Sequence, residues 1–363
     1  MVLRIFGLSV IITIISLIVA FLYGGPEALI LCAILGVLEV SLSFDNAVIN
    51  ATILQRMSEF WQKIFLTIGI LIAVFGMRLV FPLAIVWITA GLDPVRAFDL
   101  ALNPPPDDAA FFPNGDPSYE TIITDAHPQI AAFGGMFLLM LFLNFIFEER
   151  EITWLSWLEV PLGKIGKLDQ LSVVVASIGL VIAAEVAATD EQRATVMVAG
   201  VLGLITYIVV DGLGSLFHPE GHTGPSSAVK ATGKAGFFLF LYLEVLDASF
   251  SFDGVIGAFA ITADPIIIAL GLGFIGAMFV RSITVYLVRK GTLGEYVYLE
   301  HGAHWAIGAL AVILLVSIGV HINEIITGLT GVVLILAAWV TSVIRNRRHP
   351  EETHEVDLAK AES

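Results

Sequence analysis

The sequence predicts an all-α polytopic membrane protein with about ten transmembrane helices, arranged as two inverted five-helix repeats. Three observations lead there. Of 363 residues 57% are apolar and 14% charged, and the apolar residues gather in runs of about 20, the length a helix needs to cross the hydrocarbon core of a bilayer. Lysine and arginine fall almost entirely on one side of the alternating loops. A nine-residue motif also occurs twice, as Leu38-Glu-Val-Ser-Leu-Ser-Phe-Asp-Asn46 and Leu246-Asp-Ala-Ser-Phe-Ser-Phe-Asp-Gly254.

The apolar runs cover 4–23, 27–54, 61–90, 128–147, 170–188, 194–217, 234–263, 264–290, 305–323 and 324–345, the last two parted only at Asn323-Glu324. The first is longer than a signal-peptide core and meets Gly24-Gly25-Pro26 with no small-x-small cleavage pattern, so it reads as a retained span. Between the third and fourth, residues 91–127 form a Pro-rich loop with Asp93, Asp99, Asp107, Asp108, Asp116, Glu120 and Asp125 against a single Arg96, expected to be a solvated, irregular connector. Glu148 to Lys167, with Trp154 and Trp157 beside charges, reads as an interfacial helix. Residues 1–190 then make the first repeat, 191–345 the second, and 346–363 a polar tail expected to be disordered.

With a cytoplasmic amino terminus, 14 of the 18 cations fall in internal segments: Arg4, Arg56, Lys63, Arg150, Lys164, Lys167, Lys230, Lys234, Arg289, Lys290, Arg345, Arg347, Arg348 and Lys360. External loops hold only Arg96 and Arg193, while Arg78 and Arg281 fall inside the third and eighth runs. This asymmetry fits a multi-pass plasma-membrane protein with both termini in the cytoplasm. It also makes the motif-bearing second and seventh runs point in opposite directions, as inverted repeats require. Each motif run is followed by a run carrying an arginine and then by an Ala-His pair, Ala126-His127 and Ala303-His304.

The net charge of -15 resides mostly in loops and tail and says little about partners beyond the bilayer; nothing points to nucleic acid. Cys32, the only cysteine, rules out an intrachain disulfide and reads as a packing residue. Gly271-Leu-Gly-Phe-Ile-Gly276 spells a dinucleotide fingerprint but follows no strand, so close helix packing explains it. The spacings of His218 with His222, and of His301 with His304 beside Glu300, suit metal ligation. Exposed loop histidines without further ligands are poor candidates, and His304, matched by His127, is the exception worth testing.

The motif acids are different, because a carboxylate in a membrane span costs roughly 2.5–3.5 kcal/mol on insertion scales and is functional by default. On a helix, Glu39, Ser43, Asn46 and Asn50 share a stripe, with Asp45 pointing away from Glu39; the second copy offers Asp247, Ser251 and Gly254, with Glu244 one turn earlier. Either Asp45 and Asp253 serve another face, or the chain unwinds near Asn46 and Gly254 and main-chain carbonyls join the site. This oxygen-rich chemistry suits manganese, magnesium or calcium rather than zinc or copper. Candidate ligands are Glu39, Asp45, Asn46, Asp247, Asp253 and Glu244, supported by Ser43, Ser251 and Asn50. Arg78 and Arg281 are the candidate counter-ions. Glu244, Glu185 and Asp211 are candidates for coupling protons. No permanently bound cofactor is expected.

At these residues the sequence resembles the TerC family of integral membrane proteins, whose pattern is a Glu followed by Leu-Ser-x-Asp-Asn in one helix and a degenerate second copy. Glu39 to Asn46 matches the first copy, and Asp247 to Gly254 stands for the second, with Asp and Gly where the first copy has Glu and Asn. The acidic external loop and Tyr298-Leu-Glu-His-Gly-Ala-His304 resemble the family's longer branch, catalogued as a domain of unknown function. The resemblance covers roughly the second to fourth and seventh to ninth runs. It implies divalent-cation handling and manganese efflux, with no enzymatic activity. The other classes weighed are an intramembrane aspartyl protease, disfavoured by the Phe-Asp-Asn and Phe-Asp-Gly surroundings, and a membrane scaffold of a metal or tellurium stress-response complex.

Overall fold

A computed structural model describes residues 2–42, 44–69, 71–72, 76, 80, 93–103, 105, 109–150, 152–216, 230–259, 262, 264–290, 296–322 and 324–348; within helices, the side chains of 2–4, 38, 41–42, 44–45, 213–216, 249–257, 259, 289–290, 324–325 and 328 are outside that description. The described residues are mostly helical and form no strand. Helix α1 (Val2–Leu42) bends at Gly24 and Gly25. Gly25 adopts φ 70°, a left-handed conformation that favours glycine, and Pro26 restricts the residue before it. The non-helical Gly24 and Gly25 part the first expected span from the second where the sequence reading placed that boundary, and α2 (Phe44–Gln55) carries the second onward.

Helix α3 (Glu59–Ile64) leads into a wide, π-helical turn at Phe65–Gly69. Next come α4 (Pro94–Leu102), α5 (Tyr119–Ile146), α6 (Ser156–Ile165), α7 (Leu171–Val186), α8 (Arg193–Leu216) and α9 (Gly233–Phe259). The short α10 (Pro265–Ile268) passes through a second wide turn, Ala269–Gly276, into α11 (Ala277–Lys290); α12 (Leu299–Ser317) and α13 (Glu324–Arg348) complete the described chain.

Among the described residues, six helical stretches are long and apolar enough to cross a membrane: Ile5–Val37, Tyr119–Ile146, Arg193–Gly212, Pro265–Val288, Leu299–Ser317 and Leu329–Arg348. Their outer faces fit lipid contact. Leu8, Ile11, Ile15, Ile18 and Leu22 form an exposed apolar stripe on α1, and Leu329, Val333, Leu336 and Val340 form another on α13. Stripes of this kind on several helices exceed what a water-soluble monomer exposes and suit a multi-pass membrane protein. At the centre, α5 buries Met136, Phe137, Leu138 and Met140 almost completely, packed against α8 and α12.

The structure corrects several sequence readings. The acidic loop is partly ordered: Asp93 caps α4 by accepting from the Val95 and Arg96 amides behind Pro94, and Ser118 caps α5 by accepting from Thr121, so that helix starts nine residues early. The helix of the ninth apolar run, α12, also begins earlier, at Leu299, which places His301 inside it and buries it. Asn46 and Gly254 themselves lie within helices, while Ser43, between α1 and α2, lies outside the described residues. Among the described residues, the segments that follow the two motif helices carry the two wide turns.

Candidate metal-ion site

Glu39, Asn46, Asn50, Glu244 and Asp247 are all buried. They reach the interior because the stripe Glu39–Asn46–Asn50 faces inward across α1 and α2, as its helical spacing requires, while Glu244 and Asp247 stand one turn apart on α9. The two motif copies meet directly: Asn46 Nδ2 donates to Asp247 Oδ1 at 2.7 Å. Asn50 presents an amide oxygen, and Glu244 both carboxylate oxygens, with no hydrogen-bond partner among the described residues. In the interior of a membrane protein such acceptors are expensive unless something else satisfies them.

Each wide turn approaches an acid of the opposite half. A methyl group built on Gly69 would lie 2.6 Å from Glu244 Oε1, and one on Gly276 would lie 2.0 Å from Glu39 Cγ. A larger residue at either place would have to displace the acid's side chain. Gly271 likewise abuts Leu35 and the Cys32 carbonyl, so the glycines of the false dinucleotide fingerprint serve close approach of α1 to the turn, as their small size suggested. Buried Cys32 packs at the same contact.

Arg281 donates from Nε to the Leu66 carbonyl at 3.0 Å, inside the first wide turn, so the arginine of one half reaches the turn of the other. Thr284, one turn further, points its hydroxyl at the Val280 and Ala47 carbonyls, and the Ser9–Ser282 pair, 2.6 Å apart, ties α1 to α11. Sequence reasoning missed Thr284, Ser9 and Ser282; small hydroxyl residues in apolar runs look like ordinary packing there.

Other expected members lie elsewhere or outside the described residues. Ser43 and Arg78 are outside it, as are the side chains of Asp45, Ser251 and Asp253 and the loop holding His218 and His222. Glu185 does not join the site: it pairs with Arg193 at 3.5 Å on the surface. Among the described residues no group of three or more His, Cys, Asp and Glu side chains is arranged to hold a metal ion.

A second polar cluster fixes α6. Glu159 Oε2 lies 3.0 Å from His301 Nδ1 and accepts from the Trp154 amide at 2.9 Å, while Oε1 accepts from Trp305 Nε1 at 2.9 Å. Burial alone would raise the Glu159 carboxyl; the His301 and Trp305 contacts outweigh it and bring it down to about 2. His301 is therefore an anchor for α6 and not an exposed loop residue. His304 stacks on Phe145, ring centroids 3.7 Å apart, with Nδ1 2.8 Å from the Glu300 carbonyl.

The family described as "Protein of unknown function (DUF475)" matches residues 44–349. The chain belongs to that family. The DUF475 match takes in Asp45, Asn46, Arg78, Glu244, Asp247, Asp253 and Arg281, whereas Glu39 precedes it. No curated protein and no solved structure matches the chain.

Proposed function

We propose that this DUF475 chain is an integral membrane transporter that exports a hard divalent cation, manganese first, through a midplane carboxylate site shared by two inverted five-helix repeats. The carrying observation is the buried Asn46–Asp247 hydrogen bond, which brings the two motif copies together across 201 residues of sequence. Glu39, Asp45, Asp247, Asp253 and Glu244 supply anionic oxygen, and Asn46 and Asn50 supply amide carbonyls, the donor set that hard cations prefer. The crossed contacts, Glu39 against Gly276 and Glu244 against Gly69, support a repeat in which each half's irregular turn faces the other half's acid.

On this reading ten spans cross the membrane, and Arg78 and Arg281 act as counter-ions when the cation has left. The cation competes with them for the carboxylates, which gives it different affinities for two helix arrangements, as a ligand-driven switch requires. Protons on Glu244 or Asp211 are the proposed coupling ions. The resemblance to the TerC family supplies the choice of manganese and the direction. Cell manganese content tests the reading. Deleting the gene should raise it, the parental gene should restore it, and Asp45→Asn should not. Unchanged manganese content on deletion would count against export.

A further inference from the structure

A cavity of about 560 Å³ opens between α2, α5, α8, α9 and α12. Its walls continue the two helices that carry the candidate site. On α2 they begin at Ile49 and Thr52, about one to two turns beyond Asn46; on α9 they include Tyr242, five residues before Asp247. The cavity therefore lies roughly 8 Å along the helices from the Asn46–Asp247 contact, at about 1.5 Å per residue. Arg56 and Arg150 stand in its wall, the residues that the cation count assigns to the cytoplasmic side. A cation leaving the cytoplasm would meet this cavity first.

Its charges select the sign of a ligand. The wall holds three carboxylates, Glu148, Asp211 and Glu300, against two guanidinium groups. Both guanidinium groups are committed: Arg56 pairs with Glu300 at 3.2 Å, and Arg150 pairs with Glu148. Among the described residues Asp211 has no such partner, so one negative charge is left facing the cavity. Nearby, Asn144 donates to the Tyr207 hydroxyl at 2.9 Å, and the Tyr207 and Tyr242 rings lie 6.3 Å apart, giving neutral oxygens that can accept from or donate to water. His304 directs Nδ1 to the Glu300 carbonyl, which leaves Nε2 as its remaining polar atom.

One carboxylate and a few neutral side chains are too few to strip a hard divalent ion of its water. They suit an ion that keeps its shell. Six waters need roughly 180 Å³ at about 30 Å³ each, well within the cavity. We infer that the cavity is a second cation station, distinct from the motif site, where a hydrated divalent cation is held through its waters by Asp211, Asn144, Tyr207 and Tyr242 before it is dehydrated at the motif carboxylates. This inference rests on the cation-transport reading.

Equilibrium dialysis of the purified full chain against rising manganese, with metal analysis, tests it. The parent should take up two ions per chain, a tight one and a weak one. Asp211→Asn should lose the weak ion alone, Asp211→Glu should keep it, and Asp247→Asn should lose the tight one. If Asp211→Asn binds as the parent does, or if it loses both ions while remaining monodisperse, no separate station exists, although the transporter reading survives. If the parent binds no manganese, both the station and the transporter reading fail.

Discussion

Asn46 and Asp247, in corresponding segments of the two motif copies, are joined by a 2.7 Å hydrogen bond in the buried centre of the protein. An amide that donates to a carboxylate there both orients that carboxylate and leaves the amide's own oxygen as a further acceptor. If a cation binds at this contact, Asn46→Ala should weaken manganese binding roughly tenfold or more, the scale of a charge-assisted hydrogen bond plus a lost oxygen ligand. The double variant with Asp247→Ala should then weaken binding by less than the sum of the single losses. Additive losses in a dialysis titration would show that the two residues act separately.

The two glycine contacts allow the acids to be displaced without being removed. Gly276→Ala puts a methyl group into the Glu39 side chain, and Gly69→Ala puts one against the Glu244 carboxylate. Both variants should lower transport at least tenfold while the protein still reaches the membrane, because misplacing a ligand by about 1 Å loosens a coordination site. Gly7, where a methyl group would meet nothing, is the control: Gly7→Ala should transport as the parent does.

Arg281 offers a test of the exchange mechanism. If it competes with the cation, Arg281→Gln should bind manganese as tightly as the parent, or more tightly, and release it more slowly. Binding by dialysis and efflux by tracer loss should move in opposite directions. Joint loss of both, with normal expression, would mean that Arg281 serves to hold the wide turn through Leu66 and does not compete with the ion.

The Glu159 cluster predicts an acid sensitivity unrelated to transport. The carboxyl is lowered from 4.5 to about 2, so the folded state gains stability that is present in full above pH 4.5 and is lost as pH falls through about 2, on the order of 3 kcal/mol in all. Thermal melts of the parent and of Glu159→Gln between pH 5 and 2.5 should converge as the pH drops. A constant gap would assign the cluster to packing alone.

How much of this could be read from sequence follows from the physics of each signal. The helices of the second half, Arg193–Leu216, Gly233–Phe259 and Pro265–Lys290, begin and end within a few residues of the apolar runs, since hydropathy reports membrane burial directly. The buried stripe of Glu39, Asn46 and Asn50 was legible for the same reason that any helical face is. The early starts of α5 and α12 were not, because Tyr119 to His127 and Leu299 to His304 are polar enough to look like loop until their caps and partners are known. The wide turns were invisible: Phe65–Gly69 and Ala269–Gly276 are apolar and helix-like in composition, and the approach of Glu244 to Gly69 and of Glu39 to Gly276 appears only in the fold. The cavity was equally hidden, since Asn144, Tyr207, Asp211 and Tyr242 come from three helices and none forms a motif.

The most direct test of the account is manganese flux in proteoliposomes containing only the purified chain, with magnesium, calcium and zinc compared under imposed pH gradients. The parent should move manganese in preference to zinc, and Asp247→Asn, Asp45→Asn and Asp253→Asn should each reduce the rate to that of empty liposomes while inserting normally. A parental chain that moves no divalent cation, or an Asp247→Asn variant that moves manganese at the parental rate, would contradict it.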